Sequence, residues 1–202
     1  MKPFLKLLSA DWEQTVKWSA LVLLSLLLSL VPPVGPLFLF VSVNLLNATA
    51  LALKEKGLLE LKTVFGLFKK TAFFSLGELV LVTLLLLPLP VLGPVFKALL
   101  LFYLFSKPYL KTALTGGKED FKLPFKSFTT ESLRVTLSPY YAPVGFKFLL
   151  KFVLLHALAF VLALTVVGVI LSVWCLLWAC YALAKAAAET ERDVLPFYRR
   201  RG

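Results

Sequence analysis

The sequence predicts an all-α integral membrane protein of about six apolar helices arranged as three hairpins, with both termini cytoplasmic. Three observations carry this expectation. Of 202 residues, 59% are apolar, against roughly 45–50% on a broad count for a soluble domain, and the mean hydropathy is +0.87. Charge-poor segments recur at 18–31, 37–53, 71–87, 95–106, 152–167 and 169–184. Most of them, with a flanking turn, reach the ~17–25 residues that a spanning helix needs. The connections alternate in charge: the N-terminus, 54–70, 107–151 and 185–202 are rich in Lys and Arg, whereas 32–36, 88–94 and the weak point at Gly168 carry none. Basic residues hold the cytoplasmic ends of membrane helices, so the charged side is the inner one.

The whole chain is expected to form one membrane domain. Its hairpins run over about 12–53, 71–113 and 147–188, with a cytoplasmic amphipathic segment at 115–146 and a basic tail at 189–202. The N-terminal stretch "MKPFLKLLSADWEQTVKW" breaks its first apolar run with Lys6, Asp11 and Glu13. No small-residue cleavage site comes after the next run, so it is expected to be retained as a short interfacial helix. In "LVPPVGPLF" three prolines and a glycine lie between the first two apolar segments, and "LPLPVLGPVF" repeats the pattern at 87–96. Proline and glycine suit turns, where a missing N–H and unusual dihedrals cost little. These stretches therefore read as uncharged, non-cytoplasmic corners.

The hairpins read as internal repeats. Gly35, Gly93 and Gly168 each open a helix that ends at a charged knee. About thirty residues beyond each of them stands a Phe with basic neighbours: Phe65, Phe125 and Phe197. Between the second and third hairpins, Gly116-Gly117 ends a helix, and Pro124, Pro139 and Pro143 punctuate the long polar segment. Within it, "FKSFTTESLRVTL" places Phe125, Phe128, Leu133 and Leu137 near one another, with Lys126 and Arg134 elsewhere, as in a short amphipathic helix at the headgroup level. Tyr140, Tyr141, Trp12 and Trp18 suit interfacial aromatic belts.

The net charge of +11 has two readings. No aromatic-basic groove module accompanies it, so no nucleic-acid partner is expected; the expected partner is the bilayer, with anionic headgroups at the basic face. A second copy of the chain or other membrane subunits are the expected protein partners. Cys175 and Cys180, five residues apart, lie ~140° apart round a helix and suit neither a disulfide nor a metal pair. The single His excludes a His-rich metal cage. There is no Gly-rich phosphate loop, HExxH or GxSxG. No enzyme activity, cofactor or metal is expected.

Ionisable groups inside apolar helices mark candidate sites. Glu78 shares a stripe with Thr71 and Ser75, roughly 12 Å of helix rise past Lys70. It reads as a proton or cation site, or as a structural carboxylate paired with a Lys or His. His156 shares a face with Ala159 and Ala163, where a neighbouring helix can approach; it titrates near neutrality or makes an interhelical hydrogen bond. Lys97, three residues beyond Pro94, snorkels to far headgroups or lines an anion pathway. Asn44 and Asn47 lie one turn apart, and Asn44 forms a small-polar stripe with Ala48 and Ala52; this reads as helix packing or a ligand contact.

"LPVLGPVFKALLLFYLFSKPYL", with "LPFKSF" after it, resembles the CysZ-type sulfate permeases of bacteria over about residues 80–185. They too have an apolar helix, an Ile/Leu-Pro-x-x-Gly turn, a returning helix and a cytoplasmic Pro-Phe-Lys segment. The resemblance implies helical hairpins, some only partly penetrating the membrane, and sulfate uptake. It carries over no binding residue. The expected function is thus a small multi-pass transporter or channel-like protein for an inorganic anion such as sulfate, in a bacterial cytoplasmic membrane. The alternative is a non-catalytic accessory, scaffold or assembly subunit of a membrane complex. Only nine uncharged residues separate Lys97 from Lys107, ~15 Å of helix against a ~30 Å core, so the second hairpin is the one expected to stop partway.

The orientation is directly testable. With Cys175 and Cys180 replaced by alanine, Val34→Cys and Val91→Cys proteins are expected to react with a membrane-impermeant maleimide from the non-cytoplasmic side only. Reaction from the cytoplasmic side overturns the topology.

Overall fold

The apolar runs of the sequence are helical, and the helices reach further into the charged connections than the composition suggests. The computed structural model describes residues 12–86, 93–114 and 121–199. Their long helices are α1 (Trp12–Leu28), α2 (Gly35–Lys56), α3 (Leu61–Leu85), α4 (Gly93–Leu114), α6 (Ala142–Ala163) and α7 (Val166–Glu189). Between α4 and α6 lie a 3-10 turn, Pro124–Phe128, and the short helix α5, Thr130–Thr136; a π turn, Thr190–Val194, and α8, Leu195–Arg199, come after α7. There is no strand among the described residues. The interfacial helix expected before residue 12, the corner at 88–92, the glycines at 116–117 and the end of the basic tail lie outside the described residues.

Among the described residues, three helical stretches are long and apolar enough to cross a membrane: Gly35–Lys56, Ala142–Ala163 and Gly168–Tyr198, the last counted through the π turn. α1 has 17 residues. α3 carries Lys62, Lys69, Lys70 and Glu78, and α4 carries Lys97, Lys107 and Lys111. The connection expected at 54–70 is helical from residue 61, and the one expected from 107 begins only after Leu114.

Local chemistry explains the helix ends. α2 starts on Gly35-Pro36, with Pro in the first turn, where its missing N–H is no loss. It stops at Gly57, which takes a left-handed φ of 69° and donates its N–H to the Leu53 carbonyl at 3.0 Å. Just beyond, Lys56 reaches Glu60 at 3.2 Å and Thr63 at 2.8 Å. The Thr63 hydroxyl, and then the Lys56 ammonium, hold the exposed Glu60 carboxyl below its ordinary range. The Pro32–Pro33 peptide bond, in the first uncharged corner, is cis. Pro108 lies inside α4, where it removes one rung of the helical hydrogen-bond ladder.

Two expectations shift in position. The break between α6 and α7 falls at residues 164–165 and not at Gly168. Thr165 caps α7, its hydroxyl accepting from the Gly168 N–H at 3.0 Å. Gly168 sits in the first turn of α7, so close to the Leu162 carbonyl that a Cβ would collide with it. The single amphipathic helix expected over 125–137 is split in two by Thr129, whose extended backbone (ψ 154°) ends the 3-10 turn and caps α5. Phe125 and Phe128 pack inward, Lys126 and Arg134 are exposed, and Leu137, expected on the apolar face, is 68% exposed.

The chain falls into two compact units. The first comprises Met1–Thr71 and Lys151–Ala184. In it, α1 and α2 are joined by buried polar contacts that run in opposite chain directions. Trp18, fully buried, donates its indole N–H to the Thr49 hydroxyl at 2.7 Å, and Ser42 donates to the Ser25 hydroxyl at 2.9 Å. Trp12 meets Trp174 edge to face at 5.7 Å, and the Cys180 thiol approaches the Leu46 carbonyl at 3.5 Å.

The second unit comprises Ala72–Leu150 and Lys185–Gly202. Its core joins α3, α4 and the segment after α4 through Phe74, Leu81, Leu85, Tyr103, Leu110 and Leu123. Tyr141, at the entry to α6, is buried, donates to the Phe105 carbonyl at 2.6 Å and lies edge-on to the Phe105 ring. Val135 and Val194 close over it. The chain at Phe121 crosses α3 at Gly77, where a Cβ would run into the Phe121 carbonyl oxygen and lie 3.4 Å from Pro124.

That crossing separates two glycines of one helix. Gly77→Ala is expected to lower thermal stability in detergent by about 1–3 kcal/mol through overpacking. Gly66→Ala, with open space around the added methyl, is expected to raise it by about 0.5–1 kcal/mol. Equal shifts in melting temperature for the two variants would place the Phe121 segment elsewhere.

Candidate functional site

The second unit buries a cluster of charge between α3 and α4. Phe74 and Glu78 are four residues apart on α3; Tyr103, Lys107 and Lys111 recur every four residues on α4. Four residues are a little more than one turn, so each set lies on one helical face. Those two faces meet. Lys107 pairs with the Glu78 carboxylate, both side chains buried. One turn further along α4, Lys111 is only 2% exposed, and its ammonium stands 4.5 Å from the centre of the Phe74 ring, within reach of a cation–π attraction. Tyr103 is fully buried, and its hydroxyl lies beside the Glu78 carboxylate. Ser75 and Ser106 are fully buried in the same two helices.

Physical chemistry makes this cluster unusual. Taking an ammonium or carboxylate out of water costs several kcal/mol even after relaxation, and the mutual attraction offsets it only when the geometry is good. Two ammonium groups share the apolar interior with one named carboxylate. Such an arrangement can hold an anion, relay a proton through the carboxylate, or fix the register of α3 on α4.

The other predicted residues lie elsewhere. Lys97 is exposed on the first turns of α4 and is not part of the cluster. Asn44, Asn47 and His156 belong to the first unit. Asn44 is fully buried; its amide donates to the Phe68 carbonyl at 2.9 Å and its oxygen accepts from the Thr71 hydroxyl at 2.6 Å. It ties α2 to the first half of α3. Asn47 is buried one turn later on α2. His156 is half-buried, with Nδ1 2.8 Å from the Phe152 carbonyl of its own helix and its ring stacked on Phe152 at 3.9 Å. Among the described residues, no group of three or more His, Cys, Asp or Glu is placed to hold a metal.

Tyr103, Lys107 and Lys111 are site residues that the pattern of apolar runs does not single out. Lys107 and Lys111 open a basic run, and so read as part of a cytoplasmic connection. Their i, i+4, i+8 spacing with Tyr103 is the signal that they share a helical face.

No family model matches the chain, and no solved structure matches it. The chain is similar to an uncharacterized protein of Aquifex aeolicus (strain VF5), at 29% identity over 203 aligned residues that cover 91% of each chain.

The pairing predicts strong coupling. Lys107→Met alone is expected to destabilise the detergent-solubilised protein by about 3–5 kcal/mol, because it leaves a buried carboxylate uncompensated. The double variant Glu78→Gln/Lys107→Met is expected to recover most of that loss. Losses that simply add would mean that the two groups act independently.

Proposed function

We propose that the chain is a small multi-pass transporter or channel of a bacterial cytoplasmic membrane that carries a small inorganic anion. Sulfate is the anion that the resemblance to CysZ-type permeases suggests. The observation that supports this most is the buried cluster of Lys107, Lys111 and Glu78. Ionisable side chains in membrane-embedded helices face a bundle interior or wet cavity and mark transport paths. Two ammonium groups favour a negative substrate. The charges of α3 and α4 also suit a hairpin that stops partway through the bilayer, buried in protein or lining an aqueous path.

In this reading six helices form three hairpins with both termini cytoplasmic. The exposed apolar side chains of α6, among them Phe146, Leu154 and Phe160, face lipid. Exposed Lys122, Lys126 and Arg134 meet anionic headgroups at the inner surface. Lys97 lies at the opposite end of α4 and suits the outer mouth of the path. The reading involves no catalysis and no cofactor.

A second reading is an accessory or assembly subunit. The internal bonds of Asn44, Ser25, Ser42 and His156 favour it, since these polar groups are engaged in joining or satisfying helices and not in facing a path. Transport measurements separate the two. Purified protein in liposomes is expected to take up radiolabelled sulfate, and Lys107→Met to reduce uptake more than about tenfold, the change produced by losing roughly 1.4 kcal/mol of substrate interaction. Absence of flux for any small anion, with a stoichiometric membrane partner co-purifying, would establish the accessory role.

A further inference from the structure

We infer that the cavity between α5 and α8 is a binding site for the phosphate headgroup of an anionic phospholipid whose acyl chains lie along α6. This rests on the reading above that the basic face of the chain meets the inner leaflet. The cavity has a volume of about 150 Å³ and is lined by Arg134 of α5, Tyr140 at the entry to α6, and Phe197 and Tyr198 of α8. All four belong to the second unit. Pockets that enclose a whole small molecule run to about 300–1,000 Å³. This one suits a headgroup whose remainder stays outside.

The fold builds the cavity from the neighbours of a small core. Val135, Tyr141 and Val194 are buried together, with Tyr198 packed against them. Arg134 and Tyr140 precede Val135 and Tyr141 in the chain, and both are exposed. After Val194 the chain leaves the π turn Thr190–Val194 and enters α8; π turns are rare and frequently mark functional sites. Phe197 then stacks on Tyr140, with ring centres 4.7 Å apart and planes within 8° of parallel. The Tyr198 hydroxyl donates to the Arg134 carbonyl at 3.5 Å, which engages the Arg134 backbone and not its side chain. No carboxylate among the described residues pairs with the Arg134 guanidinium.

Chemistry selects the occupant. A guanidinium presents a planar fork of N–H donors that matches two phosphate oxygens. From Tyr198 the sequence runs straight into Arg199-Arg200-Arg201. That positive charge favours an anion over the quaternary ammonium that an aromatic pair alone would suit. Tyr140 and Phe197, 52% and 51% exposed, are the aromatic type that settles at the headgroup level. Two residues beyond Tyr140 α6 begins, and its Phe146 and Leu150, four residues apart and so on one face, are exposed. A free phosphate leaves that face uncovered. A phospholipid covers it with its chains, over ~12 Å of helix rise between Ala142 and Leu150.

Binding to the purified full chain in neutral detergent tests the inference. The probes are short-chain phosphatidylglycerol, phosphatidylcholine of the same chain length, and inorganic phosphate; native mass spectrometry counts bound lipid, and a titration gives its affinity. Phosphatidylglycerol is expected to fill one saturable site, with phosphatidylcholine and inorganic phosphate binding far more weakly. Arg134→Gln is expected to weaken phosphatidylglycerol by about tenfold or more through loss of a charge-assisted forked contact, and Arg134→Lys to recover only part of it. Lys126→Gln, at an exposed basic residue outside the cavity, is expected to bind as wild type does. Equal losses in Arg134→Gln and Lys126→Gln would mean diffuse attraction to a basic surface and overturn the site. Inorganic phosphate that binds as tightly as phosphatidylglycerol overturns the lipid assignment. Should Arg134→Gln not fold, Phe197→Ala decides: weakened binding supports the site, and wild-type binding overturns it. A chain that needs detergent yet binds no phosphatidylglycerol removes this inference and leaves the membrane reading standing. A chain recovered from cells in the soluble fraction without detergent removes both.

Discussion

A charge placed in an apolar interior must find a partner, and the second unit is arranged around that requirement. Glu78 fixes where Lys107 can lie, and Lys107 fixes the register of α4 on α3. Once those helices are set, Phe74 lies under Lys111 and Tyr103 beside the carboxylate, and the segment from Phe121 to Pro124 is drawn across Gly77. The apolar residues around the cluster would tolerate a shift of a turn at little loss, since one Leu contact resembles another. An ion pair does not, and this specificity is the best-attested use of buried charges.

The first unit solves a milder version of the same problem. Between helices that are apolar nearly all round, burial of further methyl groups gives little direction when lipid is as apolar as leucine. Direction comes from small polar contacts: Trp18 on Thr49, Ser42 on Ser25, and Asn44 on the Phe68 carbonyl and the Thr71 hydroxyl. Each has a short reach and a defined geometry. Together they set α1 on α2 and α2 on the start of α3, without any net charge in that part of the bundle.

The helical character of the chain is legible because composition and charge spacing report it directly. Glu78 is legible too, as an ionisable group in an apolar run. Its partner is not, because Lys107 and Lys111 also open a basic stretch, and the rule that basic residues flank spanning helices absorbs them. The bonds of Asn44 need the register of α2 against α3, which one sequence does not contain. Gly168 misleads by three residues for a different reason. Glycine commonly marks a break, but here Thr165 supplies the cap and the glycine serves close packing on Leu162. The segment 125–137 has an apolar pattern, yet Thr129 divides it, since a capping hydroxyl outweighs a modest amphipathic pattern.

Pro108 gives the charge cluster a mechanical property. It stands between Lys107 and Lys111, and the N–H it lacks is the one that would have tied this level of α4 to the turn before. A helix missing a rung bends there more readily than anywhere else along its length. The turn of α4 between Tyr103 and Lys107 is therefore the softest part of the cluster. A rigid ladder would hold Tyr103 and Lys107 at one separation; this one gives them play.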